Sequence, residues 1–263
     1  MIPPLIIFDL DGTLAESKQA ITREMAERLA RLLDTTRVAV ISGGGLPQFL
    51  KQIVAQLPND ANFKNLYLLP TSGAALYAYH LSTSLESARD KLLKANESAW
   101  DQVYEKRLSE DEARAVGDAM RAAAAETGLI DFSAPSHGER IEYRGGQVTL
   151  SALGQQASIH EKKLWDPTRE KRAALQANIA ARLPGFSVGV GGSTSIDVSK
   201  RGIDKAYGAR HICERLEVRE SDALYVGDEL GEGGNDSVVH ETAVQTRAVT
   251  DPADTLAFID SLF

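Results

Sequence analysis

The sequence predicts an α/β fold, a doubly wound parallel sheet interrupted by an inserted α+β segment. Three observations carry that prediction. Short apolar, β-rich runs alternate with stretches of helical periodicity before residue 82. The alternation lapses between about residues 83 and 198, where Ala, Glu, Lys and Arg dominate first and alternating strand patterns follow. It resumes after Arg201, so the expected organisation is 1–82 and 199–263 as one core with 83–198 inserted as a second domain.

Taken in order, Leu5 to Phe8 is an apolar strand, and residues 18–33 carry apolar side chains at helical spacing. Val38 to Ile41 is a second strand, Leu46 to Leu57 reads as a helix, Leu66 to Leu69 as a third strand and Leu76 to Tyr79 as another. Residues 84–127 read as helical with no buried strand among them. Ile141 to Arg144 and Gln147 to Leu150 alternate in polarity around Gly145-Gly146, the pattern of a hairpin with one solvated face. Asp166-Pro167-Thr168 opens a helix through about Arg182, and Phe186 to Val190 and Ser195 to Val198 are strands. Lys205 to Leu216 is a helix, Ala223 to Val226 a buried strand, 227–236 a Gly-rich loop and about Asp254 to Leu262 the last helix.

Composition excludes several functions. A net charge of −8 repels nucleic-acid phosphates, and no basic stripe interleaved with aromatics offsets it. The solitary Cys213 forms no internal disulfide, which fits a reducing, cytoplasmic setting. The run Leu5-Ile6-Ile7-Phe8 is too short for an export signal or a membrane span. His80, His137, His160, His211 and His240 show no paired spacing for zinc.

The chemistry concentrates at predicted strand ends. Asp9 and Asp11 follow the first strand two residues apart, a spacing that turns both carboxylates to one side of an extended chain. In open parallel sheets that end is where ligands bind, and covalent phosphoryl transfer needs such a pair, one carboxylate to attack phosphorus and one to handle the alcohol's proton. Gly12 permits a sharp turn, and Thr13 is placed to offer a hydroxyl to phosphate. Ser42 and Gly43 close the second strand with a hydroxyl and flexible N–H groups. Lys205 opens a helix where an ammonium can pair with phosphate and with Asp9. Asp228 ends a later strand, and Asn235 and Asp236 close its loop. Asp9, the Asp11 carbonyl and Asp228 are oxygen donors that suit Mg²⁺.

In sequence order, Asp9-Leu10-Asp11-Gly12-Thr13, Ser42, Lys205 and Gly227-Asp228 with Gly233-Gly234-Asn235-Asp236 resemble the four motifs of the haloacid dehalogenase superfamily of phosphatases and phosphomutases. The resemblance implies a Rossmann-like core with an α/β cap inserted between the second and third motifs. It implies Asp9 as nucleophile, Asp11 as general acid/base, Thr13, Ser42, Gly43 and Lys205 around the phosphate, Asp9, Asp11 and Asp228 as Mg²⁺ ligands, and Asn235 and Asp236 behind them.

The inserted segment resembles that of the eukaryotic-type phosphomannomutases, through Ile141-Glu142-Tyr143-Arg144-Gly145-Gly146, Ser151-Ala152-Leu153-Gly154 and Gly191-Gly192-Ser193-Thr194-Ser195-Ile196-Asp197-Val198. In those mutases the positions of Arg144, Ser195 and Asp197 hold the sugar and its distal phosphate. The chain departs from them at Lys18, Gln155 and Lys162, where the family has Arg. Two of these keep charge and lose the planar fork, and Gln155 loses the charge. The resemblance implies a sugar-phosphate substrate, a hexose 1,6-bisphosphate activator for mutase action, and a dimer contact through the cap that no apolar stripe marks. Two alternatives stand beside the mutase, a sugar-phosphate phosphatase using the same Asp9 ester and a catalytically silent phosphosugar-binding module. The second is disfavoured because Asp9 and Asp11 are both present.

Overall fold

The computed structural model describes residues 2–80 and 94–263. Its strands in chain order are β1 (Leu5–Asp9), β2 (Arg37–Ile41), β3 (Leu66–Leu69), β4 (Ala75–Tyr79), β5 (Trp100–Glu105), β6 (Ile141–Tyr143), β7 (Gln147–Ser151), β8 (Phe186–Val190), β9 (Ser195–Lys200), β10 (Ala223–Gly227) and β11 (Gln245–Ala248). Its helices are α1 (Arg23–Leu33), α2 (Leu46–Phe49), α3 (Glu110–Thr127), α4 (Ile159–Trp165), α5 (Glu170–Arg182), α6 (Lys205–Arg215) and α7 (Pro252–Asp260). Two compact units divide the chain, Met1–Tyr104 with Lys205–Phe263, and Glu105–Asp204. The expected insertion, 83–198, overlaps the second unit and differs from it at both ends, where β5 joins the first sheet and β9 runs on to Lys200.

The first unit is a seven-stranded sheet in the order β11-β10-β1-β2-β3-β4-β5. Pairing is parallel from β11 through β3, and β4 turns back antiparallel to β3. Helices cover both faces, and this explains why all five residues of β1 are buried. Ile6 and Phe8 pack with Met25, Leu29 and Leu32 of α1 and Phe258 and Ile259 of α7. Leu5 and Ile7 pack the other way, with Ala209, Ile212 and Cys213 of α6. Asp9 has the parity of Leu5 and Ile7, so the strand delivers it to the α6 face. The helix expected over 46–57 is α2 continued by one π-helical turn, Leu50–Val54.

The second unit holds the sheet β6-β7-β9-β8, antiparallel throughout. Val148, Leu150, Ile196 and Val198 form its apolar face and pack on Val116, Met120 and Ala123 of α3 and on Leu175 and Ile179 of α5. Ser109 and Glu112 close α3 with a reciprocal capping box, and Gly128 ends it in the left-handed region. The helical reading of 84–127 holds for α3 and fails at β5, where pairing in the first sheet overrides local propensity; residues 84–93 lie outside the described residues. The face of β7 expected to be solvated is buried, with Gln147, Thr149 and Ser151 engaged in hydrogen bonds instead of water. Strand β11, polar and largely exposed, carries no apolar run that would announce it. Among the described residues no helix is long and apolar enough to cross a membrane.

Two helical glycines yield opposite expectations. A methyl group on Gly208 of α6 would come within 2.6 Å of Ile41 Cδ1 and 3.0 Å of the Gly73 Cα, whereas one on Gly117 of α3 would meet nothing within 4 Å. Gly208→Ala is therefore expected to destabilise by about 1–3 kcal/mol through overpacking, and Gly117→Ala to stabilise by up to about 1 kcal/mol through helix propensity. Urea unfolding midpoints check both, and shifts of the same sign would contradict this packing.

Candidate active site

Lys205 is the hub of the site. It opens α6, is buried, and its three N–H groups are all used: Nζ donates to Asp9 Oδ1 at 2.7 Å, Asn235 Oδ1 at 2.6 Å and Asp236 Oδ1 at 2.7 Å. Burial alone would favour losing the proton, but Asp236 and Asp9 outweigh it and raise the ammonium pKa far above the usual lysine value. Asp236 is fully buried and committed: its Oδ1 also accepts from the Tyr225 hydroxyl at 2.6 Å, and its Oδ2 from the Glu229 N–H at 3.1 Å. Tyr225 was not singled out in the sequence, where it reads as one more apolar strand residue. Its parity with Ile7, opposite it on β1, carries its ring into the buried layer beneath Asp9.

Asp228 stands at the end of β10 and is held by Thr13. The buried Thr13 hydroxyl donates to Asp228 Oδ1 at 3.1 Å and accepts from the Asp228 N–H at 3.0 Å. This corrects the expectation for Thr13, whose hydroxyl is spent on a carboxylate instead of facing phosphate. Gly12 has φ +93°, and a side chain there would run into Asp228 Oδ2 at 2.3 Å, so both the turn and the close approach require glycine.

Asp11 does not join this cluster. Its Oδ1 accepts from the Lys18 N–H at 2.6 Å and its Oδ2 from Gln48 Nε2 at 3.2 Å. Lys18 is exposed and takes a left-handed φ of 58° to make that bond. Gln48 was missed in the sequence, where it is one polar residue of a short helix, and no spacing rule connects it to Asp11. Ser42 is buried at the end of β2 with its Oγ accepting from the Gly44 N–H at 3.3 Å, and the partly exposed Gly43 lies between them.

In the second unit, register places Thr149 opposite Asp197 and Ser151 opposite Ser195 on the polar face of the sheet. Gln147 Nε2 donates to Thr149 Oγ1 at 3.0 Å, which donates to Asp197 Oδ1 at 2.8 Å. Thr149 and Gln147 were not anticipated, although alternation within β7 puts them beside Asp197. Arg144 Nε and Nη2 bond Glu142 Oε2 at 3.0 and 2.6 Å. Lys162 is buried in α4, and its Nζ donates to the Gln155 carbonyl at 3.0 Å.

A family model described as "Eukaryotic phosphomannomutase" matches residues 114–263, more than half of the chain. The chain belongs to this family. Phosphomannomutase 2 of Dictyostelium discoideum is 28% identical over 268 residues, covering 98% of this chain and 96% of that protein. The Saccharomyces cerevisiae phosphomannomutase is 25% identical over 268 residues, covering 98% and 94%. Among solved structures, an IMP-bound IMP-nucleotidase of Plasmodium falciparum superposes with TM-score 0.64 at 15% identity over 99% of this chain and 68% of that one. A haloacid dehalogenase-like hydrolase of Bacteroides thetaiotaomicron superposes with TM-score 0.59 at 15% identity over the whole of both. At these identities the structures speak for the fold alone. This phosphomannomutase-family chain is thus a phosphotransferase enzyme, and its Rossmann-like core shares the fold of a haloacid dehalogenase-like hydrolase.

The core of this family member fits a hard cation. Asp9, Asp228 and Asp236 each present an oxygen within 4.8 Å of the others. Three carboxylates face one ammonium, and the surplus falls on Asp9 and Asp228. Burial, then repulsion from Asp236 and Asp228, raises the Asp9 pKa well above the usual carboxylate range despite Lys205. Burial, then Asp236 and Glu229, pushes Asp228 up to about 6. Asp236 is saturated by Lys205, Tyr225 and Glu229, so Asp9 and Asp228 are the carboxylates with which a divalent ion would complete the charge balance.

The sign of the pH effect follows. A carboxylate whose folded pKa lies above its unfolded value of 3.8 binds its proton more tightly when folded, so its contribution favours folding at low pH and is lost as pH rises through about 6. Without metal, Asp228→Asn is expected to raise the melting temperature near neutral pH, by the equivalent of roughly 1–3 kcal/mol. Millimolar Mg²⁺ is expected to raise that of the unsubstituted protein and to act far less on the variant. Thermal melts in EDTA and in Mg²⁺ measure both; a destabilised metal-free Asp228→Asn would show that the carboxylate is not in excess.

Proposed function

We propose that this chain interconverts hexose 1-phosphates and hexose 6-phosphates, mannose phosphates foremost, through an aspartyl-phosphate on Asp9. The single observation that carries the mechanism is the Lys205 clamp, which holds the Asp9 carboxylate in a fixed, water-poor position at a strand end with an ammonium against it. The mutase reading draws on the family membership and on relatives named as phosphomannomutases along nearly their whole length.

In the proposed first step an Asp9 oxygen attacks phosphorus, the bond from phosphorus to the sugar oxygen breaks, and that oxygen takes a proton from Asp11. In the second, the free hydroxyl of a hexose monophosphate gives its proton to Asp11 and takes the phosphoryl group, freeing Asp9 and forming a hexose 1,6-bisphosphate whose other phosphoryl group can enter the first step in turn. Ser42 and the Gly43–Gly44 backbone line the strand end where the phosphoryl oxygens would be held, and Lys205 offsets their charge. Mg²⁺, held by Asp9, Asp228 and the Asp11 main-chain carbonyl, would supply further charge neutralisation when bound. Asp236 and Asn235 act behind it by fixing Lys205. For the second unit we propose that Ser195, Asp197 and Thr149 recognise sugar hydroxyls and Arg144 the distal phosphate, with a hexose 1,6-bisphosphate as activator. A cytoplasmic setting is consistent with the buried, unpaired Cys213.

A second reading, transfer to water, is favoured by one observation in the second unit. Where the family carries Arg, Lys162 is buried with its ammonium on the Gln155 carbonyl, and Gln155 itself is uncharged. Fewer cations for a bisphosphate would weaken its retention.

Incubation with mannose 1-phosphate, Mg²⁺ and a trace of hexose 1,6-bisphosphate, with mannose 6-phosphate and free phosphate followed together, decides between them. Mannose 6-phosphate is expected as the main product, and stoichiometric phosphate without it would replace the mutase by the phosphatase. Asp9→Asn is expected to lower either activity by about 10³-fold or more; an unaffected variant would refute the aspartyl-phosphate itself.

A further inference from the structure

We propose that Gln48 is a positioning residue for Asp11, fixing the carboxylate that the proposed function assigns to proton transfer. The inference rests on that assignment, though not on whether sugar or water receives the phosphoryl group.

Each Asp11 oxygen is claimed by one donor, and the two donors come from different parts of the fold. Lys18 N–H, in the loop after β1, takes Oδ1 at 2.6 Å, and Gln48 Nε2, in α2 after β2, takes Oδ2 at 3.2 Å. The terminal torsion of an Asp side chain is broad, so a single donor leaves the carboxylate free to turn, whereas two donors on opposite oxygens set its plane. The backbone already bears a left-handed φ of 58° at Lys18 to make its half of the arrangement. The other half depends on the amide of Gln48, and Gly44 makes room for it. A methyl group on Gly44 would overlap Gln48 Oε1 at 2.2 Å and its Cδ at 2.5 Å. The loop that follows β2, read in the sequence as a phosphate-binding turn, thus also forms the wall against which Gln48 rests while it reaches Asp11.

The residue type fits the task. A neutral amide orients a carboxylate through a hydrogen bond without tying it into an ion pair, as Lys or Arg in its place would do. Loss of this donor is expected to act where Asp11 acts, on the departing sugar oxygen, which takes the Asp11 proton as its bond to phosphorus breaks and the Asp9 oxygen's bond to phosphorus forms. A p-nitrophenolate leaving group departs with the electron pair and needs no such proton.

That difference supplies a test that a general structural defect would not pass. Gln48→Leu, which keeps the side-chain bulk and removes the donor, is expected to lower kcat on the hexose phosphate about 10- to 100-fold, with KM changed less than about threefold. Its loss on p-nitrophenyl phosphate is expected to be at least tenfold smaller. Gln48→Glu keeps the shape and sets a second carboxylate against Asp11, so the same selective loss is expected and covers the case in which the Leu variant does not fold. Equal losses on both substrates, a change confined to KM, or full hexose phosphate turnover in Gln48→Glu would overturn the proposal. Asp11→Asn run in parallel separates the two levels. If it too loses equally on both substrates, the acid/base assignment of Asp11 falls; if it is selective and the Gln48 variants are not, Gln48 alone falls.

Discussion

One buried ammonium holds the first unit's chemistry together. Lys205 touches Asp9 across 196 positions of sequence and Asp236 across 31, so β1, the loop after β10 and the start of α6 meet on a single atom. Placing a charge there costs desolvation, and only complete partnering returns it. The partnering is complete: three N–H groups, three oxygens, all between 2.6 and 2.7 Å. The acceptors are themselves held, Asp236 by Tyr225 and Glu229, and the Asn235 N–H by Glu229 Oε2 at 3.3 Å. Such a network is either whole or damaging. It makes Asp9 an oriented carboxylate before any substrate arrives, which is the arrangement nucleophilic catalysis asks for.

The same cluster carries an intended imbalance. A protein seeking only stability would not set Asp228 beside Asp9 and Asp236, since repulsion from these neighbours adds to burial in raising the Asp9 and Asp228 pKa values. Thr13 hydrogen-bonds Asp228 from both sides of its hydroxyl and Gly12 yields space to it, so local structure works to keep that carboxylate in place. Retained at a strand end and held in place by Thr13 and Lys205, these oxygens have the chemistry to accept a hard cation.

What the sequence made legible is what local pattern encodes. Alternating apolar runs located β1, β2, β3 and β10, because strands buried on both faces must be apolar throughout. Asp9, Asp228 and Lys205 were legible because each sits at the end or start of such an element. The losses have a common cause, which is that partners distant in sequence decided the outcome. β5 is polar enough to read as helix until β4 pairs with it, and β11 exists because β10 offers an edge. Thr13 could be placed near phosphate by spacing, but only the folded neighbourhood shows that Asp228 claims its hydroxyl. Gln48 and Tyr225 had no spacing signal at all. Asp11 lies two residues from Asp9, yet it turns to Lys18 and Gln48 because β1 ends at Asp9 and alternation no longer applies beyond it.

The second unit separates its duties by parity. Along β7 and β9 one set of side chains, Val148, Leu150, Ile196 and Val198, builds the core on α3 and α5, while the alternate set, Thr149, Ser151, Ser195 and Asp197, forms a polar face joined by its own hydrogen bonds. Five consecutive pairs lock that register, and a slip of one residue would drive Asp197 into the apolar layer. Stability therefore constrains one face and leaves the other free to vary in chemistry, so long as each buried polar group keeps a partner. Lys162 follows the same rule: it is buried, and its ammonium is satisfied by the Gln155 main-chain carbonyl. The polar face of the second unit thus lies where packing imposes least, and for that reason the acidic strand ends of the first unit are read easily from this chain and the chemistry of that face is not.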